Sequence, residues 1–321
     1  MNDLLYLKGG RTLVDTCTNV KQGEKVLIIS ERTMMPIAEA IARASNDNGA
    51  ETVISIMNPR SRAGEEPPDV IAGAMMTADV VFIPVSYSIT HTFAVKNAVA
   101  NGARVIVMTR FTEEMMVSGG IEADFKSIKP VCLKAADYFS KGNKLRLTST
   151  GGTDLEVDIS GRKGNALYCI VEPGEFSTVP TIEANVSPLE GTANGRIVAD
   201  ASIPYLGIGV LDEPVILNVV NGFITNIHGG RQADILIKDL ESYKDRNVYN
   251  IAEIGIGLNP CCRMCGIMLE DEGVISTSHI GIGTSITLGG TVKAPVHYDL
   301  IMHNPVIEID GRIILNKEKL L

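Results

Sequence analysis

GEKVLIIS (residues 23–30), ETVISIM (51–57), ADVVFIPVS (78–86) and ARVIVMT (103–109) are four compact Val/Ile-rich runs, and what separates them decides the fold. Between the first two, residues Met35 to Asn48 place Ile37, Ala38, Ile41, Ala42 and Ala44 at helical spacing before Gly49 closes the segment. PPDVIAGAMMTA (67–78) and HTFAVKNAVANG (91–102) read as the next two helices. Continuous apolar strands alternating with helices imply a parallel sheet covered on both faces and joined by right-handed crossovers. The spacing therefore predicts a doubly wound α/β domain over residues 1–142. No G-x-G-x-x-G or G-x-x-x-x-G-K-[ST] stands at any of its strand-to-helix turns, so nothing points to a dinucleotide or nucleoside triphosphate, and Gly9-Gly10 reads as a turn.

After a helix around Ile121 to Ser140 the texture changes. KLRLTST (144–150), TDLEVDI (153–159) and NALYCIV (165–171) are short strands broken by Gly-rich turns. EPVILNVVNGFITNIHG (213–229) is a hairpin signal, because Asn221-Gly222 between two apolar runs suits a two-residue turn. One helix, Gln232 to Tyr243, interrupts the series. Residues 143–321 are expected to form a β-rich α+β domain with its own core.

The formal net charge of -9 and the lack of a Lys/Arg block argue against nucleic acid or an anionic membrane as partner. The start lacks a basic segment leading into a long apolar core, and no stretch approaches the roughly 18 apolar residues of a spanning helix. The expected setting is the cytoplasm, with a small peptide or small molecule as substrate. Six cysteines are scattered in a way unlike a secreted disulfide framework, and Cys262-x-x-Cys265 has no second pair to complete a zinc site, so reduced thiols are the reading taken.

Ligand chemistry concentrates near the C-terminus. Three of the five histidines, His279, His297 and His303, fall there. In Val296-His297-Tyr298-Asp299-Leu300 the alternation of an extended strand turns His297 and Asp299 to one face, half of a metal site. Glu253 lies inside the apolar run YNIAEIGIGLNP (249–260), where a carboxylate is costly to bury unless a cation or donors face it.

PTIEANVSPLEGTANGRIVAD (180–200), NIAEIGIGLNP (250–260), LEDEGVISTSHIGIG (269–283) and GGTVKAPVHYDLI (289–301) resemble, in this order, the metal-binding half of the thermophilic metallo-aminopeptidases of the aminopeptidase T and S type. SITHTFAVKNAVANGARVIVMTRFTEEMM (88–116) is similar to their shorter relatives, which include 2,5-dihydroxypyridine 5,6-dioxygenase. By motif, the resemblance implies metal ligands at Glu183, Glu253, His279, His297 and Asp299, and a homodimer or larger assembly. Two positions depart from the aminopeptidase pattern. Val274 stands where a glutamate precedes the middle histidine, leaving Glu270 or Glu272 to substitute, and Ile286 replaces a tyrosine.

Two chemistries follow. As an aminopeptidase-like hydrolase, Glu253 would bridge two Zn, Co or Mn ions and Glu183 would shuttle a proton, its motif ending a strand. As an Fe(II) ring-cleaving dioxygenase, His279, His297 and Asp299 would hold one iron with open positions, and Glu183 and Glu253 would orient the histidines. Hydrolysis is placed slightly ahead. A third class, a coordinatively closed metal-binding module, stays open. His91 is a candidate substrate contact reaching across a domain cleft, or an aid to capping the following helix with Thr90 as N-cap.

Overall fold

The computed structural model describes residues 3–90 and 92–321. The chain divides into two compact units, Met1–Ser127 with Tyr168–Pro180, and Ile128–Leu167 with Thr181–Leu321.

The first unit is built on a five-stranded parallel sheet in the order Glu51–Ile56, Lys25–Ser30, Val80–Val85, Arg104–Thr109, Phe176–Thr178. The four long strands are those the apolar runs predict. Two of the interior ones, Val80–Val85 and Arg104–Thr109, are buried along their whole length, as strands covered on both faces must be. Helices Met35–Asp47, Asp69–Met75 and Phe93–Ala100 make the crossovers. The last of them is capped by Thr92, whose side chain accepts from Val95 N, and not by Thr90. His91 lies outside the described residues. Gly9-Gly10 is not a turn. Both glycines sit in the helix Asp3–Arg11, where a β-carbon would meet the Met116 carbonyl oxygen at 2.4 Å and the Ala40 carbonyl oxygen at 2.7 Å. Glycine is there to let backbones approach.

The second unit holds two antiparallel sheets, one of eight strands and one of seven. The expected hairpin is present as Val215–Val220 and Phe223–His228, with Asn221 and Gly222 both at positive φ (50° and 81°), as a two-residue turn of this type requires. The boundary expected at residue 142 and the observed units differ in two places. Helix Phe125–Lys141 enters the second unit at Ile128, because its buried face, Cys132, Ala135, Ala136 and Phe139, packs there: Cys132 Sγ reaches the carbonyls of Leu167 and Glu183, and Gly164 lies against the Ala136 carbonyl. The chain then returns to the parallel sheet through Phe176–Thr178, which pairs with Val105–Val107.

Candidate metal centre

The seven-stranded sheet carries the site. Its central strands are Ile251–Gly257, Thr277–Gly283 and His297–His303, with Glu183–Val186 on the far side of the first. Their sequences, IAEIGIG, TSHIGIG and HYDLIMH, alternate so that Ile254, Ile256, Ile280, Ile282 and Leu300 fill one face and are fully buried. The other face receives Glu183, Glu253, His279, His297 and Asp299.

Each of these five side chains stands opposite a glycine on a neighbouring strand. Glu183 faces Gly257, Glu253 and Asp299 face Gly281 from either side, His279 faces Gly255, and His297 faces Gly283. Cross-strand neighbours are close enough that a β-carbon would compete for the same volume. At Gly255 it would lie 2.0 Å from His279 Nε2, and at Gly281 2.6 Å from His297 Cε1 and 2.8 Å from Glu253 Cβ. The glycines of the two IGIG segments thus clear the floor on which the imidazoles lie.

The polar atoms converge. His279 Nε2 is 3.4 Å from Glu183 Oε2 and 3.7 Å from Glu253 Oε1, while His297 Nε2 is 2.9 Å from Glu253 Oε2 and 3.4 Å from Asp299 Oδ1. Ligand atoms of Glu183, Glu253 and His279 lie within 4.8 Å of one another, as do those of Glu253, His297 and Asp299. Outer contacts fix several of these groups. Asn185 Nδ2 donates to Glu183 Oε1 at 2.9 Å. His297 Nδ1 is 2.9 Å from the Thr284 carbonyl, which can only accept, so Nδ1 carries the hydrogen and Nε2 is left free to ligate. Tyr205 Oη lies 2.6 Å from Asp299 Oδ2 and 3.1 Å from Glu272 Oε1.

Four buried carboxylates, Glu183, Glu253, Glu272 and Asp299, surround two imidazoles. Burial pushes Glu183 up to about 7, with the neighbouring charges of Glu253 and Asp299 adding to the rise and His279 opposing it. Burial likewise lifts Glu272 well above the carboxylate range, helped by the Asp299 charge. A phenol has one hydrogen, so Tyr205 can satisfy both of its acidic neighbours when Glu272 carries a proton. For Glu253, burial opposes the charge, but hydrogen bonds from His279 and His297 outweigh it and hold the carboxyl below its usual value. Burial would depress His279, yet its bond to the Glu253 carboxylate and the Glu183 charge raise it to about 9. His297 is raised well above its ordinary value in the same way, mainly by Asp299.

The residues fit a cation. Glu183 Oε2 and Asp299 Oδ1 are buried with no well-formed hydrogen bond among the described residues, a cost a structure bears where something else completes the contact. The two-His, one-carboxylate donor set plus further carboxylates suits a divalent transition metal.

All five ligand positions expected from sequence come together, and Glu183 opens its strand, where the sequence reading has it closing one. Of the two acidic residues left open, Glu272 reaches the site, whereas Glu270 accepts from the Arg263 backbone N–H. Tyr205, Asn185 and Thr284 carry no signal in the sequence, because their roles depend on loops and neighbouring strands that no short motif records. The site does contain a phenol, but from Tyr205. Ile286, at the position of the aminopeptidase tyrosine, is half exposed. Among the described residues no helix is long and apolar enough to cross a membrane.

Comparison with known proteins finds relatives in sequence and in fold. A curated relative, the 2,5-dihydroxypyridine 5,6-dioxygenase of Pseudomonas putida, is 26% identical over 196 residues, a match spanning 57% of this chain and 55% of the relative. Two solved structures share the fold. The 2,5-dihydroxypyridine dioxygenase of Pseudomonas putida superposes with a TM-score of 0.83 at 19% identity, covering 100% of this chain and 98% of that one. Wild-type AmpT from Thermus thermophilus superposes at 0.72 with 14% identity, covering 99% of each chain. The two structures bear out the α/β class with its parallel sheet and large antiparallel sheets, while the curated relative and a family model favour the ring-cleaving alternative over the aminopeptidase-like hydrolysis placed first from sequence. The family model, described as 2,5-dihydroxypyridine 5,6-dioxygenase, matches residues 11–321, and the chain belongs to that family of metal-binding enzymes.

Proposed function

We propose that this protein is an Fe(II)-dependent dioxygenase that opens a dihydroxylated pyridine or closely related N-heteroaromatic ring, placing both atoms of O₂ in the product. The observation that supports the reading is that His279, His297 and Asp299 stand on one glycine-floored sheet face, in two ligand groups that share Glu253, in a chain whose family model is that of a ring-cleaving dioxygenase. Two imidazoles and one carboxylate suit iron and leave coordination positions open for a pair of substrate oxygens and O₂.

A bound ferrous ion would supply the activation of O₂ and of the ring oxygens. The protein's own groups do the rest. The Thr284 carbonyl fixes the His297 tautomer. Glu183, held through Oε1 by Asn185 and titrating near neutrality, is placed to take a ring-hydroxyl proton at Oε2. Glu253 lies between the two imidazoles, where its carboxylate would balance the charge of a cation that they hold. The buried Ile layer behind the sheet keeps water from that side.

The test is oxygen uptake by iron-loaded protein supplied with 2,5-dihydroxypyridine. One O₂ consumed per ring lost, with ¹⁸O₂ labelling the product twice, is the expected result. Ring loss without oxygen, or hydrolysis of aminoacyl amides at a comparable rate under anaerobic conditions, would support the hydrolase instead.

A further inference from the structure

The two oxygens of Asp299 are not equivalent. Oδ2 takes the Tyr205 hydroxyl at 2.6 Å, while Oδ1 is buried, has no well-formed hydrogen bond among the described residues and lies 3.4 Å from His297 Nε2. Tyr205 is itself held on every side. Its ring packs on Tyr298 with centroids 5.0 Å apart, and Tyr298 is anchored through its hydroxyl to Asp239 at 2.9 Å. Its backbone is tied into the loop after the strand Ser202–Ile203, with Tyr205 N donating to Ile203 O and Ile208 N donating to Tyr205 O. The same hydroxyl lies 3.1 Å from Glu272 Oε1.

We infer that Tyr205 is a positioning residue that occupies Asp299 Oδ2 and so makes Asp299 a one-oxygen ligand presenting only Oδ1 to the cation. The inference rests on the reading that the cluster holds a metal ion. Its functional weight lies in what a one-oxygen carboxylate spares: the position that a second carboxylate oxygen would take remains available to substrate. A hydrogen bond to the outer oxygen of a ligating carboxylate also fixes its rotation, and loss of such a partner commonly costs about 10–100-fold in metal affinity.

Co(II), added without oxygen to metal-free protein, is the probe, read by its visible absorption and by its affinity. Tyr205→Phe removes one oxygen atom and keeps the ring stacked on Tyr298. The expected result is binding weaker by about 10-fold or more and a changed Co(II) spectrum, with the far-ultraviolet dichroism of the metal-free protein unaltered. Equal affinity with a superimposable spectrum would overturn the inference while leaving the metal centre intact. Failure of the unmodified protein to bind Co(II) would overturn the metal centre and this inference with it. A crystal structure of the unmodified Co(II) protein gives a second readout that needs no variant: Asp299 bound through Oδ1 alone with Tyr205 still on Oδ2 supports the assignment, and Asp299 bound through both oxygens contradicts it.

Discussion

His279 lies where a side chain on Gly255 would have to be: the two residues are paired across adjacent strands, and a β-carbon on Gly255 would come within 2.0 Å of the imidazole Nε2. The relationship explains why the apolar segment Ile251–Gly257 spends two of its seven positions on glycine. It also gives the most selective way to disturb the centre without removing a ligand.

Gly255→Ala should fold and lose metal. The strand position imposes no positive φ, so alanine is tolerated by the backbone, but the imidazole must swing away from Glu183 and Glu253. A loss of metal affinity on the order of 100-fold is expected, at the upper end of what disturbed ligand support costs. Gly73→Ala is the control: this helical glycine has open space around its would-be β-carbon, so metal content should be unchanged and stability should rise by roughly 0.5–1 kcal/mol. Metal analysis and urea titration read both.

His297→Ala and Asp299→Ala should each abolish stoichiometric metal loading, since both contribute to the group of ligand atoms that meets Glu253. Elemental analysis after reconstitution checks this. Full retention in both variants would remove the site assignment.

Stability of the metal-free protein should fall as pH rises from about 6 to 9. His279 is raised from 6.5 to about 9 in the fold, so its contribution is complete below 6.5 and disappears as pH passes 9. Glu183, raised from 4.5 to about 7, acts in the same direction, its contribution complete below 4.5 and lost through 7. Metal binding uses unprotonated imidazole and carboxylate, so affinity should rise over the same window and the loaded protein should not show the decline. Melting temperatures at several pH values, with and without metal, make the comparison. A metal-free protein that gains stability toward pH 9 would contradict it.

Gly9→Ala should destabilise, although alanine favours a helix by about 0.5–1 kcal/mol. The new β-carbon would meet the Met116 backbone carbonyl oxygen at 2.4 Å, and backbone cannot yield as a flexible side chain can. Overpacking of this kind costs about 1–3 kcal/mol, so the net effect should be a loss, visible as a lower urea midpoint.

What the sequence makes legible follows from what is local. The parallel sheet shows in its Val/Ile runs because its inner strands are buried on both faces, and the hairpin shows in Asn221-Gly222 because turn chemistry is local too. The ligands show because His297 and Asp299 share a strand and because Glu253 breaks an apolar run. Phe176–Thr178 stays hidden, since three residues of which only Ser177 is buried carry no pattern. Gly9-Gly10 resembles a turn until the helices it lies against are in place. Tyr205 is invisible for the same reason: its hydroxyl reaches Asp299 across 94 positions of chain.

Whether His279, His297 and Asp299 hold a single iron is decided by metal analysis of protein purified without oxygen or chelators. One iron per chain, lost in the Asp299→Ala variant, is the predicted result. Two equivalents of zinc, cobalt or manganese per chain would contradict it and would place Glu183 and Glu253 among the ligands of a two-ion hydrolase.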